Sequence, residues 1–343
     1  MGWRFFIGNL KMKYLGLLGF DFFKSLYLAL TLFIAPFYTT SVLAQFPQKP
    51  IRVIVPQAAG SASDATARML VHELSVSLSQ SIFIDNKPGG GFTIGLDLIA
   101  KAPPDGYTLG VGPVGAMVIS PNMMNKIPYD IERDFQPIAL ITRGHLLLAV
   151  SPQLPVNSVA ELIAYAKKYP HKLSNASSSN GSPGHVGGEL FKLMTGTQIT
   201  HIPYKGGALA INDLMSGQVD MIFESLNSIS VQAKAGKVKA LAVSGVRRSP
   251  AFPNLPTIAE AGVPGYEAPT WIGVFGPIGI AKNIVDKLNQ SINQAINSSA
   301  FKDRFGSIGD EIAGGSPEEL GDFMKQENQK WKEVIKKSGA KFD

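Results

Sequence analysis

The chain has 343 residues, a net charge of +6, five histidines and no cysteine. Without a thiol there are no disulfides, no thiol catalysis and no thiolate metal sites, and no cysteine to carry a lipoprotein anchor. Much of the basic excess lies at the front, where Arg4, Lys11, Lys13 and Lys24 stand against Asp21; the remainder carries +3, too mild and too scattered for a nucleic-acid surface.

Met1 to Ala44 reads as a secretory signal peptide rather than as part of the fold. Its basic residues precede the apolar run Leu26 to Tyr38, and Val42-Leu43-Ala44 offers a cleavage site after Ala44. Met12 is an alternative start. The run is only about 13 residues long and contains Pro36, short of the ~20 that a spanning helix needs. The roughly 300 residues left suit one large or two medium domains, and export without an anchor predicts a periplasmic location.

Apolar strand-like runs then alternate with helix-period segments. Strands are predicted at Ile51–Val55, Ile82–Asp85, Thr108–Gly112, Pro137–Thr142, Leu146–Val150, Leu173–Ala176, Val219–Phe223, Ala240–Ser244 and Trp271–Gly276. Between them lie helix-start signals. Ser61 and Asp64 have capping-box spacing, as do Ser158 and Glu161, Thr257 and Glu260, and Ser316 and Glu319. Ser182-Pro183 is an N-cap followed by proline at the first helical position, with Gly196 near the helix end. This alternation predicts an α/β architecture with largely parallel sheets.

Three loops carry the functional candidates. Gln57–Asp64 joins a strand to a helix start and has no Lys or Arg. Such a turn aims backbone N–H groups and the positive end of a helix at one point, which suits an anion. Lys87-Pro-Gly-Gly-Gly-Phe allows close backbone approach or positive φ, but fits neither a dinucleotide fingerprint nor a Walker loop. Asn175–His185, NASSSNGSPGH, again leads from a strand into a helix, rich in hydroxyls and free of Lys and Arg. Its serines and His185 admit a nucleophile reading through Ser177 or Ser182, although no G-x-S-x-G elbow or orienting third residue accompanies them. Simple N-capping by Ser182 is the structural alternative, and His185 beside a helix start is expected to be neutral. His185 and Glu189 have no further ligands nearby for zinc. Tyr204 and Lys205 suit either a cleft or an exposed turn. Glu224 and Asn227 fall near a strand's carboxyl end, where ligands collect in open α/β sheets. Asp64 has two readings, a favourable charge in the first helical turn or a partner for a ligand ammonium.

With these loops in view the chain resembles the substrate-binding receptors of tripartite tricarboxylate transporters, the Bug or TctC-like family. The segments that carry the resemblance are KPIRVIVPQAAGSASDATAR, NKPGGGFTIG, APPDGYTLGVG, ASSSNGSPGHVGGELFK, HIPYKGGALAINDLMSGQVDMIF, AGKVKALAVSGVRRSP, PTIAEAGVPGYEA and WIGVFGPIG, in order over nearly the whole mature chain. The chain departs from the family pattern at Gln57, where an aromatic is usual, at Ser61 and Ser179, where glycines are usual, and at Ile280-Ala281, where Thr-Pro is common.

The resemblance implies a two-lobed periplasmic binding protein, type II-like, each lobe a mostly parallel sheet flanked by helices, with the ligand cleft between lobes. Residues 45–147 plus 268–343 would form lobe 1 and 148–267 lobe 2. It implies a small carboxylated ligand (a di- or tricarboxylate, an amino acid or an aromatic acid), gripped by Ala59, Gly60, Ser61 and Asp64 on one side. Ser177, Asn180, Gly181, Ser182 and His185 would grip it on the other, with Gln57 in the pocket; Glu224 is added as a ligand-binding candidate from its place at the strand's carboxyl end. The implied partners are membrane permease subunits or a sensor kinase. No cofactor, metal or catalysis is expected, and a monomer is. The rival reading from another class is a secreted serine hydrolase using Ser182 and His185.

Overall fold

The computed structural model describes residues 46–341, so the signal peptide and its cleavage site lie outside the described residues. From Lys49 onward the described residues form one compact unit built on two sheets. The first has six strands and the second five.

The first sheet starts with β1 (Ile51–Val55), whose apolar residues are nearly all buried, as a central strand requires. Ser61 caps α1 (Ala62–Ser77), its hydroxyl accepting the Asp64 amide at 3.2 Å. β2 (Ile82–Asn86) pairs with β1 in parallel. Three glycines with φ of +117°, +56° and +58° then turn the chain through a 3-10 turn (Gly90–Phe92) into α2 (Thr93–Ala100). β3 (Thr108–Pro113) returns parallel to β1. A π-type turn (Gly115–Ile119) and the short α3 (Ser120–Met123) lead on to β4 (Phe135–Gly144).

β4 leads through His145 straight into β5 (Leu146–Val150) of the second sheet. There α4 (Val159–Lys168), β6 (Ser174–Ser177), α5 (Pro183–Thr195), β7 (Thr200–Pro203), α6 (Gly207–Ser216), β8 (Met221–Ser225), α7 (Leu226–Lys234) and β9 (Lys239–Val243) follow in order. The chain re-enters the first sheet as β10 (Thr270–Pro277) and ends with α8 (Lys282–Ile296), α9 (Ser299–Ile308), β11 (Glu311–Ile312) and α10 (Pro317–Ser338).

Both sheets are more mixed than the alternation of elements implied. β1 is parallel to β2 and β3, but β10 is antiparallel to β3 and β4, and β11 to β4. In the second sheet β6 is parallel to β7 and β8, while β5 is antiparallel to β8 and β9. The cause is the crossing itself. β4 carries the chain out and β10 carries it back, so these neighbours run in opposite directions.

The expected strands all form, within two residues at each end. β7 and the two-residue β11 have too little apolar pattern to be seen in sequence. The helix-start signals mostly hold: Ser158, Ser182 and Ser316 cap α4, α5 and α10. At Thr257 the box forms without a helix. Thr257 and Glu260 exchange both hydrogen bonds, at 2.9 and 3.0 Å, but Gly262 (φ +114°), Pro264 and Gly265 (φ +80°) stop the chain after one turn.

One apolar cluster runs through both sheets, from Ile54 and Leu96 through Leu146 and Phe191 to Trp271 and Trp331. It contains a buried polar knot. The indole nitrogens of Trp271 and Trp331 both donate to Glu327 Oε2 at 3.1 Å, pinning α10 to β10.

Candidate functional site

A cleft of about 600 Å³ opens between the sheets. Gln57, Gly60, Ser61, Ser63, Phe92, Thr142, Thr270 and Asp310 line it from the first sheet's elements. Ser179, Gly181, Ser182, Gly206, Gly207, Glu224, Ser225 and Asn227 line it from the second. No Lys, Arg or His is among its lining residues.

The first loop is held from behind by Asp64. This carboxylate is 2 % exposed and is absent from the cleft lining. It accepts from Gly60 N at 2.8 Å, Asn86 Nδ2 at 3.0 Å, and Arg68 Nε and Nη2 at 2.9 and 3.0 Å. Burial alone pushes its pKa up, but these donors outweigh burial and hold it below the ordinary value. Asn86 also donates to Gln57 O at 3.1 Å. The turn, with Gly60 at φ +83°, is therefore fixed before any ligand arrives. In front of it Ser63 Oγ and Gln57 Oε1, both on cleft-lining residues, are buried without a hydrogen-bond partner. Ala59 is exposed and lies outside the lining.

The second loop is braced by two histidines. The Gly181 amide donates to His185 Nδ1 at 3.1 Å, so the ring proton is on Nε2. The ring lies flat on His201, with centroids 3.8 Å apart. Burial first, then His201 and Lys192, bring the His185 pKa down to about 3, so it is a neutral imidazole. Ser177 is fully buried. Its hydroxyl donates to Ser179 O at 2.9 Å and so must accept from His201 Nε2 at 2.7 Å. Ser182 Oγ accepts the His185 amide at 3.3 Å, and the two side chains make no hydrogen bond with each other. Ser177 and His185 are buried behind the cleft surface and Asn180 lies outside its lining, while Gly181 and Ser182 are on it. Glu189 pairs with Lys192 at 2.8 Å, and the described residues contain no group of three or more metal-ligating side chains.

Besides Phe92 ahead of α2, four helix starts meet this space: Ser61 of α1, Ser182 of α5, Gly206–Gly207 of α6 and Ser225 of α7. The last two already face a carboxyl group of the protein. Glu224 is 7 % exposed, and its Oε1 accepts from the Ser225 amide and hydroxyl at 3.0 Å each. A Cβ placed on Gly207 would be 2.7 Å from Glu224 Oε2, so the glycine admits the carboxyl against the α6 start. Burial pushes the Glu224 pKa up, with Ser225 and Ser228 opposing. Tyr204 turns away to bond Asp213 at 2.7 Å, and neither it nor Lys205 is in the lining.

Ser63, Phe92, Gly206, Gly207 and Asp310 escaped the sequence reading. The glycines and Phe92 had a signal, since each follows or belongs to a glycine turn that opens a helix. Asp310 had none. It sits in a short polar link between α9 and β11 and reaches the cleft only because β11 pairs with β4.

Two α/β sheets enclosing a solute-sized cleft, with the chain crossing between them at β4–β5 and again before β10, define a two-lobed solute-binding protein. Comparison with known proteins makes this specific. Residues 66–340 match the tripartite tricarboxylate transporter family receptor model. An R. palustris protein solved with adipate is 38 % identical with a TM-score of 0.76, covering 87 % of this chain and 100 % of that one. The periplasmic binding protein BugD is 34 % identical with a TM-score of 0.73, covering 86 % and 99 %. MatC from Rhodopseudomonas palustris, solved with bound malate, is 31 % identical with a TM-score of 0.73, covering 84 % and 100 %. The chain belongs to the tripartite tricarboxylate transporter receptor family, a family of periplasmic solute-binding receptors.

Proposed function

We propose that this receptor captures a small carboxylate between two lobes, residues 45–147 plus 268–343 and residues 148–267, and hands it to the membrane subunits of a tripartite tricarboxylate-type transporter. One observation carries the reading. The starts of α1 and α5, one on each sheet, face the same cleft without a basic side chain in the wall. The main-chain N–H groups of Ala62, Ser63 and Gly184, with the serine hydroxyls beside them, then hold the ligand carboxylate, with no lysine or arginine to desolvate. Only a bound anion satisfies both starts together, so binding favours the closed arrangement. Charge-assisted hydrogen bonds of roughly 1.5–3 kcal/mol each make ~8 kcal/mol, micromolar affinity, attainable with four or more after ordering costs. Adipate and malate in two similar proteins support a carboxylate ligand.

The receptor works in the periplasm as a monomer, exported by a signal peptide cut after Ala44, and performs no catalysis. A serine hydrolase is disfavoured because His185 Nδ1 takes the Gly181 amide while Ser182 serves as helix cap. A thermal-shift screen tests the reading. At one hundred times its Kd a carboxylate adds about 2.7 kcal/mol, whereas neutral sugars add nothing; stabilisation by sugars alone refutes it. Loss of solute uptake on deletion separates transport from signalling to a sensor kinase.

A further inference from the structure

Asp310 stands in the cleft wall between α9 and β11 with no partner of its own. Among the described residues no hydrogen bond or ion pair reaches its carboxyl, and burial pushes its pKa up to about 7. The charged groups around it are committed elsewhere. Glu311, the next residue, pairs with Arg247 at 2.7 Å and lies 4.0 Å from His145 Nε2. The Arg143 guanidinium sits 4.3 Å over the Phe323 ring. The only other acid in the cleft wall, Glu224, has its donors in Ser225. Beside Asp310, Thr270 crowds the same side of Gly144: a Cβ there would meet Asp310 Oδ1 at 2.2 Å and Thr270 Oγ1 at 2.5 Å. Gly144 thus leaves room for a carboxyl that nothing in the protein neutralises.

A carboxyl in such a place is completed by what enters the cleft. A second ionised carboxylate on the ligand would meet like charge, with no basic side chain in the wall to offset it. An ammonium would supply the missing counter-charge, in a site where charge-assisted bonds are strong. We propose that Asp310 sets the ligand class, so that the cleft takes a small carboxylate that also bears an ammonium group, its carboxylate on the Ser61 and Ser182 helix starts and its ammonium against Asp310. This rests on the carboxylate-receptor reading above and narrows it to ligands of amino-acid type.

The test is calorimetry on the purified protein with acids that differ only in that group. The series are butyrate, 2-aminobutyrate, 4-aminobutyrate and succinate, and hexanoate, 2-aminohexanoate, 6-aminohexanoate and adipate. In at least one series an amino acid should bind about tenfold or more tighter than both the plain acid and the diacid. At pH 7 its binding should release about half a proton, seen as a dependence of the heat on buffer ionisation enthalpy. Asp310→Asn keeps the shape and removes the charge. It should abolish the preference and the proton release while plain-acid binding persists. A wild-type preference for the diacid with proton uptake, or an amino-acid preference that survives Asp310→Asn, overturns the proposal and leaves the carboxylate reading intact. If no acid of either series binds, both readings fall.

Discussion

Replacing Asp64 by alanine separates a loop anchor from a ligand contact. The carboxylate gathers Gly60, Asn86 and Arg68, and its loss releases the turn that shapes one half of the cleft. The bonds from Gly60 and Asn86 are charge-assisted and partly buried, worth about 1.5 kcal/mol each at the low end. The Arg68 pair is screened, because the arginine side chain is 56 % exposed, and adds little. Together the change should cost about 3 kcal/mol. With a urea slope near 3 kcal/mol per molar, the unfolding midpoint should fall by about 1 M. Carboxylate affinity should fall about tenfold or more, because the Ala62 and Ser63 amides lose their fixed direction. Asp64→Asn, which keeps an acceptor for Gly60 but not the charge, should lie between. Urea titrations read the first effect and calorimetry the second. If Asp64→Ala leaves the midpoint within about 0.3 M and alters only the choice between amino and plain acids, Asp64 is a ligand contact and the anchoring argument is wrong.

Two further outcomes follow from the second loop. At Gly184 an added Cβ would stand 2.1 Å from the Phe223 carbonyl oxygen, which is backbone and cannot step aside. Gly184→Ala should cost about 1–3 kcal/mol and weaken carboxylate binding by moving the start of α5. Gly196→Ala at the far end of the same helix, where φ is +64°, should cost about 1 kcal/mol and leave binding unchanged. The second outcome concerns pH. With the folded His185 pKa near 3 against an ordinary 6.5, the unfolded chain takes up the proton first on acidification. Its contribution is fully present above about pH 6.5 and is lost as pH falls toward 3, at up to about 1.4 kcal/mol per pH unit. Urea unfolding at several pH values should show that slope, and His185→Gln should flatten it; an unchanged slope counts against a buried neutral imidazole.

Local physics was legible in the residues. β-branched runs wrote out the central strands, and Ser61, Ser158, Ser182 and Ser316 marked four helix starts because a side-chain oxygen one step before a helix has little else to bond. Two of those starts also stood out as loops without Lys or Arg, a feature visible without a fold, and both line the cleft. The Thr257 box was misleading for the opposite reason. Capping chemistry is local, but whether a helix continues depends on the glycines and proline that follow.

Tertiary structure decided what the loops face. Asp64 and His185 sit in the same segments as Gly60 and Ser182, yet they brace those segments from behind, because their polar atoms find Arg68, Asn86 and Gly181 before they find the cleft. The sheets became mixed because two strands must cross in opposite senses. Asp310 arrived in the cleft through a two-residue pairing, more than two hundred residues along the chain from Ser61. A hydrogen bond between neighbours in sequence is encoded where it is made; a wall shared by distant segments exists only once the chain has closed around it.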